Sequence, residues 1–376
     1  MAGRSRRKKR KIKAIIVTIL IIVAAALVFG YYFVNSYIQS KLDQVERYEL
    51  STDTEEEEEV VEEEGYTTIA LFGVDNRTSE SLESGNSDTM IVLSINNETK
   101  ECRLASVYRD TYLNVGEDKY RKCNYAYSAD GPSRAITMLN DNLDLDIEDF
   151  VTIDFTGLVD VVDELGGIEV DVSAEEAAAM QEYIAETASL TGKTANYVSE
   201  GTQTLDGVQA CTYARIRHLT GGDFSRTERQ REVIEKILEK MKDASYSQLI
   251  NIFDSMTENN RVLVSLSDDE LKYYIKNASK FEIEDTTGFP FDYASDDIGS
   301  LGYIIIPVDL DNNVETLHEF LYPDEDDYEV SDTTESYSSQ IITNLGQYTA
   351  TVINSEDDDD EDSDSSSDSD SDSTTE

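Results

Sequence analysis

Between residues 14 and 34 the chain reads AIIVTILIIVAAALVFGYYFV, without one charged side chain. No other stretch constrains the fold as much. About 20 consecutive apolar residues, coiled as a helix, match the hydrocarbon thickness of a bilayer. The run follows the basic segment 4-RSRRKKRKIK-13, and Lys and Arg beside a span stay on the cytoplasmic side. Residues 1–13 are therefore expected inside the cell, 14–34 as a transmembrane signal anchor, and everything after residue 35 outside. A cleaved signal peptide is the competing reading, because Ala24, Ala25 and Ala26 offer small residues for cleavage. The apolar run continues, however, through Leu27, Val28 and Phe29 to Tyr31, Tyr32 and Phe33. Such an aromatic belt favours an uncleaved, single-pass anchor in the cell membrane with an extracellular C-terminal domain.

Charge narrows the partners. The 376 residues carry a formal net charge of −48, with acids massed in 53-DTEEEEEVVEEE-64 and in 355-SEDDDDEDSDSSSDSDSDSTTE-376. Blocks of this kind cannot bury apolar surface and stay solvated. Residues 35–65 are accordingly expected to be a stalk and acidic linker, and residues 326–376 a disordered, solubilising tail. The acid excess is wrong for a phosphate backbone, so no nucleic-acid partner is expected, and the basic segment beside the span reads as a topology signal. With only His218 and His318, a histidine-rich zinc site is excluded and a Ser-His-Asp triad disfavoured. Three cysteines, Cys102, Cys123 and Cys211, allow one internal bridge at most, with free buried thiols as the alternative.

Residues 66–325 are left as the folded body. The segment 66-YTTIALFGVD-75 reads as a buried strand ending at Asp75. Further strand candidates are 88-DTMIVLSIN-96, 101-ECRLASVYRD-110, 150-FVTIDF-155 and 168-IEVDV-172. Helices are expected near 132–143, over 156–167 and in an insertion at 174–198. Strands alternating with helices argue for an α/β fold, a central mixed sheet sandwiched by helices. Two motifs are decoys. The segment 192-GKT-194 looks like the end of a phosphate loop, but Thr187 stands where that loop needs glycine. The segment 309-DLDNN-313 resembles a calcium loop, but Val314 and Phe320 stand where a glycine and a glutamate are required.

Five arginines crowd 213-YARIRHLTGGDFSRTERQREVI-234: Arg215, Arg217, Arg226, Arg229 and Arg231. Alternation in 212-TYARIRH-218 suggests a strand with Arg215 and Arg217 on one face. The sequence 225-SRTE-228 suggests a capping box starting a helix at Ser225. The apolar stripe Val233, Ile234, Ile237, Leu238 and Met241 then puts Gln230 and Arg226 on the inward face, with Arg229 beside it. Cations at a helix N-terminus are unfavourable by a few tenths to about 1 kcal/mol each, so the cluster makes sense around an anion such as pyrophosphate. Structural salt bridges to Asp223 and Glu228 are the alternative. Asp75 and Asp88, both at strand-to-loop junctions, are a carboxylate pair suited to Mg2+ held jointly with substrate phosphates. Arg77, Arg109 and Lys122 fall in the same half of the chain.

The segments 71-LFGVDNR-77, 87-SDTMIVLSIN-96, 105-ASVYRDTYL-113, 122-KCNYAY-127, 154-DFTGLVDVVDELGGIEVDV-172, 205-LDGVQACTYARIRH-218, 223-DFSRTERQREVI-234 and 303-YIIIPVDLDNNVETLHEFLYP-323 together resemble the LytR-CpsA-Psr family. The resemblance covers roughly residues 66–325. Members of that family transfer cell-wall glycopolymers (teichoic acid, capsule polysaccharide and others) from a polyprenyl-pyrophosphate carrier to peptidoglycan. The resemblance implies Asp75 and Asp88 as ligands of Mg2+, with Mn2+ as a substitute. It implies Arg109, Arg215, Arg217, Arg226 and Gln230 as holding the pyrophosphate, with Lys122 and Asp223 nearby, and a deep apolar groove for the prenyl chain. Arg77 and Arg229 are further pyrophosphate candidates. Asn86 departs from the family, which often has Arg there; Arg77 is the candidate replacement. Asp110 and Asp223 are the candidate bases, and the sequence does not choose between them.

The expected function is therefore a membrane-anchored phosphotransferase in cell-wall biogenesis. A non-catalytic polyprenyl-pyrophosphate sensor or scaffold is the alternative. A transcriptional regulator is disfavoured, because the large domain is expected outside the cell.

Overall fold

The computed structural model describes residues 39–40, 47–50, 65–75, 81–217, 219, 222–258, 260–325 and 328–359. The basic segment, the apolar run at 14–34, most of the acidic linker, Arg77 and residues 360–376 lie outside the described residues. Among the described residues no helix is long and apolar enough to cross a membrane.

The strands are β1 (Tyr66–Asp75), β2 (Asn86–Asn96), β3 (Glu101–Val107), β4 (Tyr112–Asn114), β5 (Tyr120–Lys122), β6 (Asp149–Asp154), β7 (Ile168–Val172), β8 (Gly201–Leu205), β9 (Val262–Val264), β10 (Glu282–Phe289), β11 (Tyr293–Asp297) and β12 (Tyr303–Pro307). The helices are α1 (Tyr125–Leu143), α2 (Phe155–Glu164), α3 (Ala174–Thr191), α4 (Gly207–Ala214), α5 (Gly222–Asp243), α6 (Tyr246–Glu258), α7 (Asp268–Asn277), α8 (Leu310–Leu321) and α9 (Asp332–Asp359). A six-stranded sheet runs in the order β10-β3-β2-β1-β6-β9. The β1–β6 and β10–β3 pairs are parallel and the other three antiparallel, so the fold is mixed α/β, as the sequence pattern implied. Strand β7, expected beside the others, pairs with β8 in a separate two-stranded ribbon.

Alternation along β1 explains the two faces of the sheet. Ala70, Phe72 and Val74 point to one side, where they join Met90, Val92, Ala105, Val107 and Phe150 in the main core against α1, α8 and α9. Leu71, Gly73 and Asp75 point to the other side, the side of α2 and α5. Helix α2 is started by Asp154, whose side chain accepts from the Gly157 amide at 2.7 Å. Close approach of α4 to α2 requires Gly207: a Cβ there would collide with the Val159 carbonyl.

Three sequence expectations are corrected. The expected strand at 212–218 is not seen over its described residues, 212–217, because Asp206 and Gln209 form a reciprocal capping box that starts α4; Arg215 is its C-cap and Arg217 lies just beyond. Helix α5 starts at Gly222, so Ser225 lies inside it and is not the cap. Within the tail expected over 326–376, residues Asp332–Asp359 instead form α9, whose Ile341 and Leu345 are buried in the main core. The acidic composition of residues 355–376 obscured the apolar spacing just before it. The stalk is likewise engaged in part: Tyr48 packs edge-on to Phe150 at 5.9 Å, and its amide donates to the Val264 carbonyl at 3.0 Å. Cys102, Cys123 and Cys211 are buried, free thiols.

Helix α9 should therefore contribute to stability. Ile341→Ala is expected to cost about 2–5 kcal/mol, the usual range for such a large-to-small change in a packed core. Urea denaturation would register no change if the segment were a solvated tail.

Candidate active site

A cavity of about 540 Å3 opens between the second face of the sheet and helices α2–α5. Its walls are apolar: Leu71, Val151 and Ile153 from the strands, Leu158 and Val161 from α2, and Val233, Ile234 and Ile237 from α5. Helical spacing carries the α5 stripe back through Gln230 to Arg226, which line the same cavity. The polar residues gather with them: Asp75, Asp88, Arg215 and Arg217.

Asp88 reaches this side through a β-bulge. Gly73 pairs with Thr89 and Val74 with Ser87, which leaves Asp88 as the extra residue. Strict alternation would send Asp88 toward the main core; the bulge turns it the other way, so that both Asp88 and Thr89 line the cavity. Asn86, opposite Asp75 in the ladder, is exposed.

The arginines meet at Asp88. Arg109 Nη1 donates to one carboxylate oxygen at 2.7 Å, and Arg217 Nη2 donates to the other at 2.7 Å. Burial pushes the Asp88 carboxyl up, but Arg109, then Arg217 and Arg226, outweigh it and hold the group below the usual carboxylate range. Arg226 is only 2% exposed, so a guanidinium is held deep in the wall at the first turns of α5. Arg217 is the open member, with 44% of its side chain exposed. Arg215 donates to Thr187 Oγ1 at 2.7 Å, lies 4.6 Å from the Phe155 ring centre and is 3.6 Å from Glu186.

The charged line continues away from the cavity. Asp110 is 3.5 Å from Arg109 Nε and accepts from Lys122 Nζ at 2.9 Å. Arg109, Asp110 and Lys122 thus adjoin the mouth through Asp88 without lining the cavity. Arg229 turns aside: its guanidinium donates to the Ile216 carbonyl at 2.8 Å and faces Glu176 at 3.6 Å, against the Tyr213 ring. It secures the loop that carries Arg217 and is not brought to the cavity. Asp223 lies in the first turn of α5, and Arg77 lies outside the described residues.

Sequence reasoning missed Phe155, Tyr183 and Glu186, which line the cavity, and Thr187, which orients Arg215. Tyr183, Glu186 and Thr187 come from α3, read from sequence only as an insertion. Their spacing on one helical turn was the available signal.

Asp75 and Asp88 offer hard carboxylate oxygens to a divalent cation. Among the described residues no group of three His, Cys, Asp or Glu converges on one point. A cation here would complete its shell from ligand phosphates and water, which suits Mg2+.

Comparison with known proteins agrees with this architecture. Residues 31–306 match the LytR_cpsA_psr family. The chain is 35% identical over 221 residues to biofilm regulatory protein A of Streptococcus mutans, covering 56% of this chain and 52% of that protein. It is 34% identical over 205 residues to the polyisoprenyl-teichoic acid–peptidoglycan teichoic acid transferase TagU of Enterococcus faecalis, covering 54% of this chain and 62% of that one. The chain thus spans between about half and two thirds of the length of these relatives. Its fold resembles that of the LytR-CPS2A-psr family protein YwtF (TagT) solved with octaprenyl pyrophosphate lipid, with a TM-score of 0.53 and 21% identity over 73% of this chain and 99% of that one. The match over residues 31–306 covers the sheet, the cavity and every arginine at its mouth, and the chain belongs to the LytR-CpsA-Psr family.

Proposed function

We propose that this chain is a membrane-anchored phosphotransferase that moves a glycopolymer from a polyprenyl-pyrophosphate carrier to a hydroxyl of peptidoglycan, outside the cell. The observation that carries this reading is a largely apolar cavity that also carries Arg215, Arg217, Arg226 and Gln230 in its lining. A prenyl chain wants the first and a pyrophosphate the second. The TagU name of a relative and the octaprenyl pyrophosphate bound to a structural neighbour support it.

In the reaction, the acceptor hydroxyl oxygen attacks the phosphorus that carries the glycopolymer. The new O–P bond forms as the bond to the bridging oxygen breaks, polyprenyl phosphate leaves with the electron pair, and the hydroxyl proton passes to a carboxylate. Arg215, Arg217 and Arg226 oppose the charge that gathers on the phosphate oxygens, and the first turn of α5 adds its partial positive charge. Arg109 holds Asp88 in register with that cluster. Bound at Asp75 and Asp88, Mg2+ would supply Lewis-acid stabilisation of the same oxygens. Asp110, held by Lys122 and beside Arg109, and Asp223 remain the two candidate proton acceptors. One observation favours the alternative of a lipid-binding sensor or scaffold: both oxygens of Asp88 are already engaged by arginines.

Arg217→Ala should lower the rate of glycopolymer transfer about 100-fold or more, with only a modest fall in melting temperature because Arg109 still pairs with Asp88. Equal transfer by variant and wild type, measured with purified full-length protein and a lipid-linked glycan, would remove the transferase reading. Chelation by EDTA should abolish transfer and Mg2+ restore it, whereas Asp75→Asn should blunt that response. Lipid bound without any Mg2+-dependent product would instead favour the sensor. A reporter fused to the C-terminus should be active only outside the cell; cytoplasmic activity would overturn the orientation.

A further inference from the structure

A second cavity, of about 360 Å3, lies on the other side of α5. At 100° per residue, Glu228, Glu232 and Glu235 fall opposite Arg226, Gln230 and Val233 around the helix. One helix therefore separates the two cavities. Glu176 adds a fourth carboxylate, Arg229 and Arg231 supply two guanidiniums, and Tyr213 forms part of the lining. Tyr213 donates to Glu232 at 2.7 Å.

An aromatic wall adjoins it. Phe224 stands one turn before Glu228 on the same face of α5, and the Tyr108 hydroxyl lies against Gly288, two residues along β10 from Thr286, which lines the cavity. The Tyr108 ring meets Phe224 edge-on at 4.7 Å, and Phe224 stacks on Tyr293 at 4.8 Å and 23°. All three rings are half-buried. The wall also touches the first site by sequence: Tyr108 precedes Arg109, and Phe224 is two residues before Arg226.

Chemistry selects the ligand. Four carboxylates against two guanidiniums repel a polyphosphate or a lipid pyrophosphate, so the donor does not belong here. An apolar ligand would strand these charges. A pyranose offers an apolar C–H face for aromatic rings and hydroxyls that donate to Glu and accept from Arg. A sugar bearing a short peptide adds ammonium and carboxylate groups that the mixed charges can pair. We propose that this cavity and its aromatic wall form a second saccharide subsite, which takes the neutral or zwitterionic acceptor glycan, on the far side of α5 from the lipid. The proposal rests on the transferase reading above.

The test is binding of a soluble peptidoglycan disaccharide-peptide to full-length protein in detergent, followed by calorimetry beside octaprenyl pyrophosphate. Tyr293→Ala and Glu228→Gln should each weaken the fragment at least fivefold and leave the lipid unchanged. Tyr293→Phe, which keeps the ring, should bind like wild type and guards against a loss due only to misfolding. Arg217→Ala should show the reverse pattern. No binding of the fragment to wild type, or equal binding by all variants, overturns the subsite. Failure of octaprenyl pyrophosphate to bind wild type would instead sink the transferase reading, whatever the fragment does.

Discussion

Asp88 is what makes the arginine cluster tenable. Arg109 from the loop after β3 and Arg217 from the loop after α4 carry like charges, and Arg226, in the second turn of α5, adds a third. One carboxylate bonded to two of them at 2.7 Å, and close enough to the third to feel its charge, offsets that repulsion. It can do so only because the bulge opposite Gly73 turns it to the cavity side. Removing one partner of such a partly buried network leaves charges uncompensated, which is worse than never having had them. The site is thus assembled around an anion supplied by the protein, in a form a ligand anion can extend.

The two faces of the sheet are used unequally. One is packed by α1, α8 and α9 with side chains that leave little space. The other meets α2 and α5 across a cavity in which an aliphatic wall, with Leu71, Val151, Ile153, Val233, Ile234 and Ile237, lies beside the polar cluster. Apolar walls facing a void forfeit dispersion contacts that a packed core would have. A flexible hydrocarbon chain would restore them on entry without demanding polar partners, which is the part the proposed function gives to the prenyl tail.

Much of this was legible in the sequence. The strands β1, β2, β3 and β6 carry strong alternation or dense β-branched runs, and Asp75, Asp88, Arg215, Arg217, Arg226 and Gln230 are indeed gathered at one cavity. The failures have physical causes. Alternation in 212–218 mimicked a strand, although Asp206 and Gln209 held the spacing of a capping box. Arg229 shared the charge of its neighbours but not their direction, and ended on a backbone carbonyl. The bulge at Asp88 depends on which residue pairs across the ladder, a tertiary fact that no local pattern carries. Helix α9 was hidden because composition averages over a window, whereas burial needs only a few well-spaced residues such as Ile341 and Leu345.

The segment at residues 47–50 has a consequence for the sheet border. Strand β9 is three residues long and ends the sheet, a position where unpaired backbone groups invite another chain. Arg47 bridges to Val264, the Tyr48 amide occupies the Val264 carbonyl, and the Arg47 guanidinium pairs with Asp268 at the start of α7. The chain thus seals its own border with the piece that enters the domain. That piece also serves as a bearing: it fixes the point and direction from which the domain hangs on whatever precedes it.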